Sequence, residues 1–327
     1  MGAHRHGATW PALGCRVHVE VRDPAALPVA RELVATVLRD VDEVASRFRD
    51  DSDLTRVNRA PGTWVEVDPL LVHAVRVALV AAKETDGLVH PLLGRPLVEL
   101  GYDRDLAEVV LRDTGRVVES PPPPLDSWRG IELAEDRLRI PPGTALDLGS
   151  TGKAWCTDLA VAALADAGVG AALVSVGGDL RATGAAPWPV AVAEHPDGPA
   201  DQVFELLEGA LATSSTRVRR WTSGGVRRHH LLDPRTGLPA AEVWRTVTVA
   251  APTCVAANTE ATAAIVLGEQ APDRLARTTS ATRLVAADGA VLALGAWPVD
   301  AGPAQSWREP STTQPADTAP LPTGAVA

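Results

Sequence analysis

Residues 145–179, ALDLGSTGKAWCTDLAVAALADAGVGAALVSVGGD, decide how this chain folds. They read as a short apolar strand from Ala145 to Leu148, a Gly149-Ser150-Thr151-Gly152 turn, a helix from about Lys153 that stops at Gly168, and a second strand from Ala171 to Val176. Gly177-Gly178-Asp179 ends that strand. Glycines let the backbone come close to a ligand, and free N–H groups at a helix start favour an anion. Lys153 adds a point charge, in a chain with only two lysines, Lys83 and Lys153, against 29 arginines. That is chemistry suited to a phosphate or pyrophosphate. An ordinary tight strand-to-helix connection would use the same glycines. The spacing matches neither a GxGxxG fingerprint nor a GxxxxGK[ST] loop, so those two folds are disfavoured.

Working outward toward the N-terminus, residues 129–149 read as a hairpin running into this stretch, and Pro121 to Pro124 as a stiff spacer. Asp68 caps a helix over 69–85. The loop after it, Gly87 to Gly94, carries a lone histidine, His90, of a kind more often structural than catalytic. Trp64 to Val67 is a short strand. Residues 47–58 form a charged loop holding Phe48, either a core plug or a ring that stacks on a planar ligand. An amphipathic helix over 24–47 places Leu33, Val37, Val41 and Val44 on one face. Arg16 to Arg22 alternates as a strand, and residues 1–9 are a loose start.

Toward the C-terminus, strands are expected at 190–193, 203–206, 229–232 and 243–250, a helix at 256–267 capped by Gly268, and a short helix and two strands over 272–297. Helices and antiparallel-looking strands mix without regular βαβ alternation. The fold class expected is therefore α+β, with mixed, largely antiparallel sheets packed against helices. Residues 1–308 form one domain in two lobes divided near 119–129. Residues 309–327, rich in Pro, Thr and Ala, form a disordered tail.

Three further clusters bear chemistry. His229-His230-Leu-Leu-Asp-Pro-Arg-Thr-Gly237 closes a strand in a turn. Its two histidines face opposite ways, one toward a site and the other toward solvent, and a neutral imidazole there could take a proton from an attacking hydroxyl. Thr213 to Thr216 precede Arg217, Arg219 and Arg220, which read either as a phosphate contact or as a polar turn with a solvated basic strand. Asn258 and Thr262 lie one helical turn apart on one face, where oxygens can share a hard cation or merely cap and pack.

A net charge of −10 argues against nucleic acid or an anionic membrane as main partner. Cys15, Cys156 and Cys254 make neither a zinc pattern nor a disulfide framework, which points to a reducing compartment. With no signal peptide and no membrane span evident, a cytoplasmic protein is expected.

Taken together, the segments resemble the FAD:protein FMN transferase family, the ApbE family. The family runs roughly D-L-G-x-x-x-K-G, V-x-x-G-G-D, T-S-G, H-x-[IL]-D-P-x-T-G-x-P and A-D-x-x-x-T. Here these stand as Asp147 to Ala154, Val174 to Asp179, Thr213 to Ser215, His230 to Pro239 and Ala257 to Thr262. A D-S-x-x-[ST]-R-x-N segment also appears, from Asp51 to Asn58. The order is kept from residue 13 to about 300.

The resemblance implies an ApbE-like, T-fold-like architecture and Mg²⁺-dependent transfer of FMN from FAD to a Thr or Ser hydroxyl of a flavoprotein, with AMP leaving. It implies an acceptor bearing a D-x-x-[ST]-G-A-[ST] type site. His230 is the implied base or orienting group. Phe48, His90, Asp147, Gly149, Lys153, Gly177, Gly178, Ser214 and Leu232 are the implied FAD contacts, and Ser150, Asn258 and Thr262 the implied metal site. The chain departs from the pattern in three places. Asn258 stands for the metal-binding Asp and offers an oxygen without charge. His90 stands for an Asp before Pro91, and Ala154 for a Gly. Two alternatives keep the site but change the outcome: an FAD pyrophosphatase giving FMN and AMP, or a flavin-binding protein with weakened catalysis.

Overall fold

The structure is a computed structural model that describes residues 5–110, 121–184, 187–195, 198–278 and 280–298. The chain opens on a hairpin of β1 (His6–Ala12) and β2 (Cys15–Val21), turned by Leu13 and Gly14, both at positive φ. The expectation of a loose start is corrected: from His6 the segment pairs residue for residue with β2. The alternation in β2 holds, with Val17, Val19 and Val21 fully buried.

Helix α1 (Leu27–Ala45) follows, then α2 (Asp53–Arg59), where a loop was expected. Ser52 decides that short helix, its hydroxyl accepting from the Thr55 N–H. Next come β3 (Val65–Glu66) and α3 (Pro69–Glu84), the latter capped by Asp68 as its sequence indicates. After α4 (Gly94–Glu99) and α5 (Leu106–Val110), β4 (Glu132–Leu133) and β5 (Arg137–Arg139) join β3 in a small sheet.

Residues 145–148 are not a strand; one isolated parallel bridge, Leu93 to Ala145, marks them. Then come α6 (Gly152–Asp166), β6 (Ala172–Val176) and β7 (Asp179–Thr183). Gly177 and Gly178 make the two-residue turn between the strands, with φ of +63° and +96°. Positive φ at both central positions is what a tight hairpin of matching twist requires, and glycine adopts it without strain.

The second half holds β8 (Trp188–Val192), β9 (Gln202–Leu206), β10 (Gly209–Ser215), β11 (Arg220–Ser223) and β12 (Val226–His229). It continues with β13 (Leu232–Asp233), β14 (Leu238–Pro239) and β15 (Trp244–Ala251). Helices α7 (Cys254–Leu267) and α8 (Ala271–Leu275), then β16 (Ala281–Ala286) and β17 (Val291–Leu294), complete the described chain. Thr213 to Ser215 lie within β10 rather than in a turn.

Eight antiparallel strands in the order β1-β2-β6-β7-β10-β15-β16-β17 form the main sheet. Helices α1, α6 and α7 cover one face. On the other, Trp188, Val190 and Val192 of β8 pack with Leu173, Leu180, Leu211 and Trp297. Leu173 and Val174 are neighbours in β6 and enter opposite cores, the period of two that a strand imposes. Strands on both sides of residues 119–129 share this sheet. Residues 119–120 and the expected tail at 309–327 lie outside the described residues.

Helix α6 is apolar nearly all round because the sheet, α1, α3 and α7 leave it little solvent. Among the described residues no helix is long and apolar enough to cross a membrane.

Candidate active site

The site gathers at one end of the main sheet, where three turns meet. Gly177 sits so close to Cys15 and Lys153 that a Cβ there would fall 3.1 Å from the Cys15 sulfur and 3.4 Å from the Lys153 Cδ. The β1–β2 turn, the β6–β7 turn and the start of α6 thus converge. Beside them a cavity of about 610 Å³ opens, lined by Trp10, Leu13, Arg47, Phe48, Asp147, Gly149, Lys153 and Trp155 among others. That volume lies within the range of cofactor pockets.

Asp147 is held from three sides. Its N–H donates to the Pro91 carbonyl at 2.9 Å, and its Oδ1 accepts from the Gly149 N–H at 2.8 Å. Its Oδ2 lies 2.8 Å from the Arg47 Nε. The preceding residue is gripped as well: Asn58 donates to the Leu146 carbonyl at 2.9 Å and accepts from the Leu146 N–H at 2.7 Å. The segment Asp51 to Asn58 therefore acts as scaffold, with Ser52 capping α2 and Asn58 fixing the strip that carries Asp147.

Arg47 also links Asp147 to an aromatic stack. Its guanidinium lies 4.2 Å from the Phe48 ring centre and 4.4 Å from that of Tyr102, and it donates to the Tyr102 carbonyl. Tyr102 stacks on Trp221 at 5.1 Å. Phe48 keeps 45% exposure, so the core-plug alternative is set aside and the ring stands partly exposed in the cavity lining.

Lys153 connects the cavity to a second group of residues. Burial, together with the nearby Arg219, lowers its ammonium from the ordinary lysine value, while Asp179 works against that shift. Asp179, 7% exposed at the start of β7, is raised by its burial, with Lys153 and Arg219 opposing. Asn258 Nδ2 lies 3.4 Å from Asp179 Oδ2, and Asn258 Oδ1 is buried without a partner. One turn on, Thr262 Oγ1 lies 3.0 Å from Ser214 Oγ of β10. Asp179, Asn258, Thr262 and Ser214 thus supply hard oxygen donors from two strands and one helix. Among the described residues no three His, Cys, Asp or Glu side chains converge in the manner of a metal cluster. Ser150 is half-buried between the cavity-lining Gly149 and Gly152.

Asp158 fixes the helix that carries Asn258 and Thr262. Its two carboxylate oxygens accept from the N–H groups of Cys254 and Val255, each at 3.0 Å, and Arg181 pairs with it at 2.9 Å. A carboxylate from α6 therefore caps the start of α7.

His230 bonds the Arg219 backbone through its ring, and its Nδ1 is buried with no partner. Burial and the neighbouring Arg219 hold it well below the ordinary histidine value, so the imidazole stays neutral. The expectation that one histidine of the pair faces solvent is corrected. His229 is 3% exposed and bonds the Ala240 carbonyl through Nε2.

Apart from Ser150 and His230, described above, the sequence-derived positions fall into three groups. Phe48, Asp147, Gly149 and Lys153 line the cavity. Gly177, Gly178, Ser214, Asn258 and Thr262 lie around Lys153 and Asp179. Two others are engaged with protein. Leu232 packs at 4% exposure among Leu97, Tyr102 and Trp221. His90, 2% exposed, accepts from the Leu92 N–H through Nδ1, while Nε2 lies 3.3 Å from Ser127 Oγ. Burial pushes its pKa down to about 4.

Sequence reasoning overlooked Arg47, Tyr102 and Asp179, whereas Arg219 is among the arginines read as a candidate phosphate contact. Asp179 closes a quoted motif and Arg47 adjoins Phe48, so position alone could have flagged those two. Nothing local marks Tyr102.

Residues 13–295 match the model of the ApbE family. FAD:protein FMN transferase of Treponema pallidum is 31% identical over 289 residues, covering 78% of this chain and 76% of that protein. FAD:protein FMN transferase of Escherichia coli K12 is 26% identical, covering 79% and 77%. Among solved structures, the ApbE protein of Thermotoga maritima superposes with a TM-score of 0.73 at 26% identity, covering 89% of this chain and 97% of that one. The apo flavinyl transferase ApbE of Pseudomonas stutzeri gives 0.72 at 25%, covering 89% and 95%.

Proposed function

Since the chain belongs to the ApbE family, and its named relatives are transferases, we propose that it is an FAD:protein FMN transferase. The observation that carries the reading is the cavity itself. A stackable ring and a guanidinium stand at its rim, a glycine turn with Asp147 and Lys153 forms its wall, and a neutral histidine with a free nitrogen adjoins Lys153.

In this reading the flavin lies against Phe48, and the pyrophosphate meets the backbone N–H groups of the 149–152 turn and the Lys153 ammonium. Gly177, Gly178 and Ser214 complete the FAD surroundings, and Leu232 supports the site from its packing against Tyr102 and Trp221. His90, with its nitrogens engaged by the Leu92 N–H and Ser127, acts by fixing the turn around Pro91, whose carbonyl receives the Asp147 N–H. The acceptor's Thr or Ser oxygen attacks the FMN phosphorus, the P–O bond to the bridging oxygen breaks, and AMP leaves. His230 Nδ1, carrying a lone pair at neutral pH, takes the hydroxyl proton.

Hard oxygen donors suit Mg²⁺, whose coordination is completed by water and substrate phosphates. Ser150, Asn258 and Thr262 would hold it, and the orphaned Asn258 Oδ1 is a fitting donor. When bound, the ion offsets charge on the pyrophosphate and the departing phosphate. The acceptor carries a D-x-x-[ST]-G-A-[ST] type site. Three buried, unpaired cysteines accord with action in the cytoplasm.

Release of AMP from FAD and Mg²⁺, measured with and without such an acceptor, tests the reading. AMP that depends on the acceptor supports transfer. Equal AMP without acceptor points to a pyrophosphatase, and no AMP with tight flavin binding points to a binding protein.

A further inference from the structure

The family resemblance implies a metal-binding Asp on α7, where this chain has Asn258, a neutral amide that contributes an oxygen but no charge. Mg²⁺ is usually held by at least one protein carboxylate. The nearest carboxylate to that amide is not on α7. Asp179, the first residue of β7, lies 3.4 Å across from Asn258 Nδ2 and is 7% exposed.

Two details argue against a simple amide–carboxylate pair. Asn258 turns its NH₂ toward Asp179, which leaves Oδ1 buried with no hydrogen-bond donor, although an amide carbonyl so buried ordinarily finds one. One turn along the same helix face, Thr262 Oγ1 is 3.0 Å from Ser214 Oγ, adding further hard donors beside it. The orphaned oxygen, the hydroxyls and the carboxylate complement one another as ligands and are incomplete as a protein-only network. Lys153 and Arg219, the cations that face Asp179, suit substrate phosphates, so bound phosphate would draw their charge and leave the carboxylate available to an ion.

We infer that Asp179 supplies the carboxylate of the cation site, so that the negative charge the family places on α7 is carried here by β7, across from Asn258. The inference rests on the cation-dependent reading above. It concerns this chain's own ligand set and does not depend on which acceptor, if any, receives FMN.

The test is Mn²⁺ binding to the full chain, followed by electron paramagnetic resonance with ADP present to supply phosphate oxygens. Native protein binds Mn²⁺, and Asp179→Asn weakens binding by at least about tenfold. Asn258→Asp tightens it, and the double variant Asp179→Asn/Asn258→Asp returns toward the native value because the carboxylate has only changed sides. Native protein labelled with ¹³C-aspartate needs no substitution: it shows carboxylate ¹³C coupling to bound Mn²⁺ by electron–nuclear double resonance. Undiminished binding by folded Asp179→Asn, absence of the ¹³C coupling, or no Mn²⁺ binding by native protein with ADP overturns the inference. None of these readouts uses turnover, so loss of transfer with Mn²⁺ binding intact would count against the proposed reaction alone.

Discussion

Arg47 Nε lies 2.8 Å from Asp147 Oδ2 while the same guanidinium rests on the rings of Phe48 and Tyr102. One side chain thereby ties the aromatic rim of the cavity to its glycine-turn wall. Both ends of the pair are largely buried, with side chains 12% and 9% exposed, so solvent screens the contact little.

Arg47→Lys keeps the charge and removes the plane. A lysine cannot lie flat on two rings while bridging to Asp147. We expect FAD affinity to fall roughly tenfold, in line with about 1–2 kcal/mol for a partly desolvated cation–π contact. Flavin fluorescence titration measures it; an unchanged Kd would show that Arg47 does not shape the flavin end of the site.

Asn58→Ala removes both hydrogen bonds that hold Leu146, and with them the positioning of Asp147. About 1–3 kcal/mol of stability is lost, since the Leu146 backbone groups are left unsatisfied in a part-buried position. The urea midpoint reports this. FAD affinity falls in parallel, and stability lost with native FAD affinity would separate Asn58 from the site.

How much could be read without coordinates depended on how local each signal was. Helix α6 is bracketed by its own glycines, and Asp68 and Gly268 mark helix ends within a residue or two. Strand β1 was missed because HGATWPA contains Gly and Pro, and its pairing with β2 supplies what its propensity lacks. Helix α2 is seven residues of mostly polar side chains, so its Ser52 cap outweighs any periodicity. The contact of Asp179 with Asn258 spans 79 positions and exists only because β7 and α7 meet across the site. Likewise, the tilted contact of Phe48 with Tyr102 and the stack of Tyr102 on Trp221 bring together three distant segments that no motif connects.

The pH dependence of stability has a definite sign. The folded pKa of His90, about 4, lies below its ordinary value of 6.5, so protons bind the unfolded chain more readily. Its contribution is complete above about pH 6.5 and disappears as pH falls toward 4, amounting to about 3 kcal/mol at most. His229 and His230 are lowered as well and act in the same direction. His90→Asn should therefore lose less stability than native protein between neutral and acid pH in urea unfolding. Equal losses would show that His90 does not titrate in this way.

His230→Ala should lower acceptor modification by roughly 10²–10⁴-fold while FAD still binds, as removal of a proton acceptor does. The native rate should show no acid limb near pH 6.5, because burial and Arg219 keep this imidazole neutral below that point. A rate that halves near 6.5 and tracks His230 would contradict the lowering of this imidazole, and a His230→Ala variant with the native rate would contradict its assignment as the base.

The most direct measurement is the intact mass of an acceptor protein after incubation with this chain, FAD and Mg²⁺, alongside an acceptor whose target Thr or Ser is replaced by Ala. The account predicts one added FMN on the first and none on the second, with AMP released in equal amount. An acceptor of unchanged mass, in the presence of free FMN and AMP, would contradict it and leave a hydrolase of the FAD pyrophosphate in its place.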